Sequence, residues 1–171
     1  GLGDVYKRQV GKYVYDRGLT DKTQITLETL AGIKILDLNV KDGEVQTVCV
    51  NMGSPELVPK NIPIDSNLDR FISEDVEVDG KVYKVTGVSM GNPHAVTFID
   101  DTDSLEIEKI GPKFETHKLF PKKINTEFAQ IVDRNTIKMR VWERGAGETL
   151  ACGTGACATM VAANLNDLVD D

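Results

Sequence analysis

The sequence has 171 residues, of which 40% are apolar and 27% charged, and its 20 Lys and Arg against 27 Asp and Glu give a net charge of −7. This length is enough for one ordinary globular domain or two small ones. An acidic chain without clustered Lys and Arg lacks the positive surface that DNA or an anionic membrane requires, so we expect neither nucleic acid nor a membrane as partner.

The ends and the cysteines indicate a cytoplasmic protein. Residues 1–9 contain no apolar core of the kind found in signal peptides. The three cysteines, Cys49, Cys152 and Cys157, cannot all pair with one another and suit a reducing compartment. The uncharged run 149–166 has the length of a membrane span, but Gly, Ala, Thr and Asn dominate it. We therefore interpret it as a segment built for close approach to another helix or to a ligand.

The first part of the chain predicts a helix end followed by strands. Residues 10–19 have helical spacing and a stop at Gly18. The dipeptide Asp42-Gly43 is typical of a hairpin turn. Strands are predicted at 23–29, 32–40 and 45–52. Gly and Pro residues interrupt all periodicity in 53–66, which makes this segment the best linker candidate.

The second part predicts hairpins that alternate with single helices. An amphipathic helix carries Ile107, Ile110 and Phe114 on one face, with Asp103 as a possible cap and Pro112 dividing it into two short helices. The other predicted elements are a hairpin at 75–86, a strand at 95–99, a hairpin joining 126–132 to 136–143, and a helix at 153–166. Because these elements do not form strict βαβ units, the fold class predicted is α+β.

Reactive residue types are densest in the segment 143–155, where a strand end and a glycine loop lead to Cys152 at the mouth of a helix. The N–H groups and the dipole of a helix N-terminus favour an anion, and they favour a thiolate there for the same reason. The alternative is that Cys152 is a small buried hydrophobe beside a glycine turn. For Cys157 and Cys49, simple packing is the favoured interpretation.

A second group of polar residues is Asn92, Pro93 and His94, directly before an apolar strand. An Asn before Pro is driven to an extended or turn conformation that leaves its amide free for a ligand, although such a motif alone is more often only a turn. His94 could carry a proton. The two histidines lie far apart from each other and from the cysteines, so no metal site is predicted. No pattern for ATP or NAD binding is present either.

Four motifs in this order and spacing resemble the diaminopimelate epimerase family. They are Met90-Gly91-Asn92-Pro93-His94-Ala95-Val96, Lys123-Ile124-Asn125-Thr126, Trp142-Glu143-Arg144-Gly145-Ala146-Gly147-Glu148-Thr149 and Ala151-Cys152-Gly153-Thr154-Gly155. The resemblance implies an α+β fold of two similar domains, each with a sheet wrapped around a central helix, and an active site in the cleft between them. Residues 153–166 would be the central helix of the second domain.

The resemblance also implies a cofactor-independent, PLP-independent isomerase of lysine and peptidoglycan-precursor biosynthesis, which interconverts LL- and meso-2,6-diaminopimelate. In the family one cysteine acts as thiolate base and a second as thiol acid, and Cys152 matches the second of them. The other matched positions are His94 and Glu143 as catalytic support, and Asn92, Asn125, Glu143, Arg144, Gly153 and Thr154 as substrate-binding residues. The resemblance leaves open whether the protein forms a homodimer.

The chain departs from the family pattern at its start. A Cys-Gly-Asn-Gly-type motif is expected just before Val10, where GLGDVYKRQ stands instead. We therefore expect 1–9 to be foreign to the family, 10–54 to be the last part of a first domain, and 55–171 to be a second domain truncated at its C-terminal end, with negligible activity of this chain alone. The alternatives are another isomerase of the same fold, proline-racemase-like or phenazine-biosynthesis-like, and a non-catalytic anion-binding domain.

Overall fold

The computed structural model describes residues 3–29 and 32–170. The chain divides into two compact units, Gly1–Gly53 and Ser54–Asp171, and each unit holds its own sheet. Among the helices of the described residues, none is long and apolar enough to cross a membrane.

The first unit is a helix and an antiparallel sheet with strand order β1-β2-β3. Its elements are α1 (Gly3–Asp16), β1 (Gln24–Thr29), β2 (Gly32–Lys41) and β3 (Glu44–Val50). The helix ends near the predicted stop, where Gly18 adopts a φ of +67°. Asp42 and Gly43 both have positive φ, as the predicted tight hairpin requires. The three predicted strands of this part are confirmed.

The helix α1 packs on this sheet through Gly11. A Cβ at Gly11 would lie 3.2 Å from side-chain carbons of both Leu36 and Leu38, so the small residue lets helix and sheet approach closely. Cys49 lies on β3 and is exposed, which makes the expectation of simple packing wrong for this cysteine. The reason is strand alternation, because its neighbours Val48 and Val50 take the inward positions.

The second unit is a six-stranded sheet with strand order β4-β5-β6-β7-β8-β9, in which β6 and β7 are parallel and all other neighbours antiparallel. Its strands are β4 (Glu74–Val78), β5 (Lys81–Ser89), β6 (Pro93–Phe98), β7 (Asn125–Asp133), β8 (Thr136–Glu143) and β9 (Gly147–Thr149). Its helices are α2 (Ile107–Glu115) and α3 (Gly153–Leu165). The short strand β9 was not predicted.

The two helices cover opposite faces of this sheet. Consecutive residues of a strand point to opposite faces of the sheet. Trp142 of β8 lies against α2. The preceding residue, Val141, points to the other face and pairs with Glu127 of β7, which lies against α3. The α2 face holds the aromatic core, where the rings of Phe114 and Phe128 meet edge to face with centroids 5.3 Å apart. The α3 face is more polar and lies under a helix of small residues.

Two local predictions for this unit are wrong. The segment 53–66 is not a linker, since it buries Ile62 and Ile64 in the core of the second unit and pairs Glu56 with Ser89. The helix α2 runs through Pro112 without dividing, and its N-cap is Glu106 instead of Asp103. Burial of Ile107 and Phe114, on either side of the proline, offsets the hydrogen bond that a proline removes.

Candidate active site

The predicted site residues gather at one edge of the second sheet because of strand direction. The parallel strands β6 and β7 both begin at this edge, and β8, antiparallel to β7, ends there. The segment before β6 carries Asn92, the start of β7 is Asn125, and β8 ends at Glu143, which Arg144 follows. Contacts between Asn92 and the first turn of α3 bring the cysteine motif to the same edge.

Cys152 is the N-cap residue of α3. Its backbone is extended, with φ −134° and ψ 104°, and its Sγ accepts a hydrogen bond from the Gly155 N–H at 3.4 Å. Only 4% of the residue is exposed. The aligned peptide dipoles and the free N–H groups of a helix start favour negative charge at this position. A cysteine so placed is suited to acid–base or nucleophilic chemistry.

A chain of contacts joins Cys152 to the segment before β6. The Cys152 Sγ lies 3.5 Å from Thr154 Oγ1, and this hydroxyl accepts a hydrogen bond from Asn92 Nδ2 at 3.2 Å. Gly91, just before the asparagine, has a φ of +91°, a conformation that glycine adopts without strain. Three of the predicted site residues are therefore joined through Thr154, although Asn92 lies 62 positions before Thr154 in the chain.

Asn125 is 3% exposed, and both ends of its amide bind backbone. Its Nδ2 donates to Pro93 O at 2.8 Å and its Oδ1 accepts from Arg144 N at 3.0 Å. This side chain thus joins the β6 segment to the loop after β8. Its geometry in the unliganded chain is that of a bridge between two segments of the site.

The loop after β8 presents Arg144. Its side chain is exposed and donates from Nη1 to Lys122 O at 3.1 Å, whereas Glu143 next to it is 2% exposed and accepts from Thr149 Oγ1 at 2.5 Å. A carboxylate so enclosed needs strong hydrogen bonds to offset its desolvation. The strand β9, which carries Thr149, supplies one of them.

Glu115 supports the same loop from α2. Its carboxylate accepts hydrogen bonds from Trp142 Nε1 at 2.8 Å, Lys123 Nζ at 2.9 Å and Gly145 N at 3.1 Å. Burial of the carboxyl opposes ionisation, but these three donors outweigh it and hold the pKa of Glu115 below its ordinary value. This residue was not among the predicted site residues.

His94 and Glu127 form a fully buried pair beneath α3. The distance from His94 Nδ1 to Glu127 Oε1 is 2.7 Å, and both side chains have 0% exposure. Glu127 was not predicted as a site residue. The available signal was strand alternation, since Glu127 is two positions from Asn125 and so lies on the same inward face of β7.

Comparison with solved structures identifies the fold. The chain is similar to a hydroxyproline epimerase from Agrobacterium vitis, with a TM-score of 0.68, 13% identity, and coverage of 96% of this chain and 52% of that one. A probable proline racemase from Agrobacterium radiobacter K84 gives a TM-score of 0.66 at 15% identity, covering 94% of this chain and 51% of that one. The predicted α+β class is confirmed: the chain has the fold that these epimerase and racemase structures share.

Sequence comparison then identifies the family. The model of the family described as diaminopimelate epimerase matches residues 86–171. A diaminopimelate epimerase from Acetivibrio thermocellus is 62% identical over 159 residues, which are 93% of this chain and 57% of that protein. One from Methanococcus maripaludis strain S2 is 54% identical over 162 residues, which are 95% of this chain and 58% of that protein. The chain belongs to the diaminopimelate epimerase family, and it spans a little over half the length of these relatives.

Proposed function

We propose that this chain is part of a protein that interconverts LL- and meso-2,6-diaminopimelate by proton transfer at the α-carbon, without a cofactor, as a step of lysine and peptidoglycan-precursor biosynthesis. Family membership supports this reaction class. The single observation that carries the proposal is the thiol of Cys152 at the N-terminus of α3, linked through Thr154 to Asn92. This arrangement places an acid–base group directly beside an anion-binding helix start.

The proposed reaction needs one base and one acid on opposite faces of the α-carbon. A thiolate removes the α-proton, the electron pair of the broken C–H bond delocalises toward the adjacent carboxylate, and a thiol returns a proton from the other face. Each sulfur therefore ends in the state in which the other began. Cys152 is one of the two, and Gly153 and Thr154 at the start of α3 hold the substrate carboxylate, where preorganised N–H donors stabilise the developing charge.

The remaining predicted residues take the polar groups of the substrate and support the acid–base step. Arg144 is exposed at the site and offers a guanidinium to a carboxylate. Asn92 and Asn125 contribute amides, and Glu143 contributes a buried carboxylate for an ammonium group. His94 supports proton transfer from beneath α3.

We further propose that 10–54 and 55–171 are parts of two epimerase domains. The division of the contacts at Gly53 and Ser54 supports a boundary in this region. The two-thiol mechanism requires a second cysteine in a Cys-Gly-Asn-Gly-type motif, and this sequence contains no such motif. We therefore expect negligible epimerisation by this chain alone, measured as α-proton exchange and meso product from LL-diaminopimelate in D₂O.

Alkylation of the chain tests the site itself. Iodoacetamide is expected to label Cys152 faster than Cys157, and diaminopimelate is expected to slow the labelling of Cys152 more than lysine does, since lysine lacks the second carboxylate. In a Cys49→Ser background, which removes the exposed thiol of β3, Cys152→Ser abolishes the fast phase, and Cys157→Ser is the matched control that keeps it. Labelling of Cys152 no faster than Cys157, without protection by diaminopimelate, would refute the proposal in favour of a non-catalytic anion-binding domain.

A further inference from the structure

The buried pair beneath α3 contains two polar atoms that the site described above does not use. His94 Nε2 and Glu127 Oε2 are buried and have no hydrogen-bond partner within 3–29 and 32–170. Buried polar atoms are nearly always paired in folded proteins, because an unpaired one loses its hydrogen bonds to water without replacement. The pair is thus retained at a cost in stability.

The fold makes room for this pair next to Cys152. A Cβ at Gly155 would lie 2.6 Å from Glu127 Oε1 and 3.2 Å from Cys152 Sγ, so only a glycine lets the carboxylate approach the first turn of α3. Because Gly155 has no Cβ, the Glu127 carboxylate and the Cys152 sulfur can both lie next to this backbone position. Glu127 is therefore close enough to the thiol for its charge to be felt there.

The position of Glu127 also decides which partner holds the shared proton. Three forms fit the 2.7 Å contact: a neutral acid that donates to a bare Nδ1, or a carboxylate that accepts Nδ1–H from a neutral ring or from an imidazolium, and the last of these would leave a buried Nε2–H without an acceptor among the described residues. The carboxylate lies against the positive end of α3, which favours its ionised form. The ring is then the donor, with its proton fixed on Nδ1.

The surroundings of the pair contain few other charges. The helix α3 carries no charged residue and faces the pair with the Cys152 thiol at its start and Cys157 further along. On the sheet face that carries the pair, β5 contributes the neutral Thr86 and Val88, and β8 contributes Val141 and, at the site edge, Glu143. The proton on His94 is thus governed mainly by Glu127.

We propose that Glu127 is a positioning residue of this site: it fixes the proton of His94 on Nδ1, leaves Nε2 unprotonated as the basic atom of the ring, and sets a negative charge beside Cys152. A carboxylate that orients a histidine in this way is a general device of acid–base sites. The part of this inference that concerns catalysis rests on the proposed function. The geometry and its test do not, because they concern the unliganded chain.

The proton position can be read from the ring nitrogens by ¹⁵N NMR of the labelled chain. His117 is a built-in reference of the opposite form, since its Nε2 donates to Glu77 O at 3.1 Å and its Nδ1 accepts from Leu119 N at 3.3 Å. These are the only two histidines in the sequence, and His117→Gln assigns them. We expect neutral His94 to carry its proton on Nδ1. A proton on Nε2, or a ring doubly protonated from about pH 6 to about pH 9, would overturn the proposal.

Two variants separate the roles of Glu127. Glu127→Leu removes the acceptor, and we expect the Nδ1–H form of His94 to lose its preference; an unchanged spectrum would overturn the first part. Glu127→Gln keeps the shape and removes the charge, and we expect alkylation of Cys152 near pH 7 to accelerate roughly threefold or more, since a nearby carboxylate disfavours the thiolate. The matched control is Glu77→Gln, which removes an exposed carboxylate on β4. Equal rates in the two glutamine variants would overturn the second part.

Discussion

Local helix propensity and the structure predict opposite effects of the substitution Gly155→Ala on the free energy of unfolding. Gly155 is inside α3 and is not among the glycines with positive φ. Helix propensity alone therefore predicts that alanine stabilises the helix by about 1 kcal/mol. The structure places the new Cβ 2.6 Å from Glu127 Oε1, closer than such atoms can approach, and 3.2 Å from Cys152 Sγ.

The overlap outweighs the gain in propensity because Glu127 cannot move away easily. Its side chain has 0% exposure and is hydrogen-bonded to His94 at 2.7 Å. Overpacking of a filled interior costs about 1–3 kcal/mol, and weakening a hydrogen bond to a charged group adds about 1.5–3 kcal/mol. After subtraction of the propensity gain, Gly155→Ala is expected to lower the free energy of unfolding of the second unit by roughly 1.5–5 kcal/mol.

Urea unfolding followed by tryptophan fluorescence measures this effect. The sequence contains a single tryptophan, Trp142, and it lies in the second unit. The matched control is Ala156→Gly, an exposed neighbour in the same helix, which is expected to lose about 1 kcal/mol through propensity alone. Both variants should thus be less stable. A Gly155→Ala chain as stable as the unsubstituted protein, or more stable, would refute the assigned contact between Glu127 and the first turn of α3.

Two further predictions concern the α2 side of the sheet. Gly111→Ala puts a Cβ into the indole ring of Trp142, and we expect a loss of about 2 kcal/mol in urea unfolding; an unchanged midpoint would contradict the close packing of α2 on this ring. The pKa of Glu115 is lower in the folded chain than in the unfolded chain, so the unfolded chain binds the proton first as pH falls. The contribution of Glu115 to folding stability is therefore present above the ordinary pKa range of glutamate, and it is lost as pH falls through and below that range. Glu115→Gln should therefore be less stable near neutrality and lose less stability on acidification, and an equally steep acid loss in Glu115→Gln would exclude this assignment.

Features coded by local chemistry were predictable from the sequence. The dipeptides Asp42-Gly43 and Asp79-Gly80 both form tight turns with two positive φ values, because few other residues adopt that backbone without strain. The helix beginning at Gly153 was predictable for a similar reason, since a small polar cap and glycines precede an uninterrupted run of helix-compatible residues.

Features that depend on pairing between distant segments were not predictable from the sequence. The burial of Ile62 and Ile64 under the second sheet cannot be recognised from the prolines around them, because Pro and Gly report the local backbone and not its tertiary contacts. The pairing of His94 with Glu127 requires β6 and β7 to be parallel in the register that sets Val96 opposite Glu127. Neither the direction of these strands nor their register can be predicted from either segment alone.

The uncharged run from Thr149 to Asn166 has a physical reason in this pairing. A third charge beside a buried His and Glu would add its own desolvation cost and would change the protonation of the pair. The helix α3 adds no such charge, because it covers the pair with alanines that allow close approach and is fastened at its far end by Asn166 Nδ2, which donates to Thr86 Oγ1 at 3.0 Å. A lysine or glutamate on its inward face would interact with His94 or Glu127 directly. The same absence of charge that gives this run the length of a membrane span therefore lets it cover an ionisable pair.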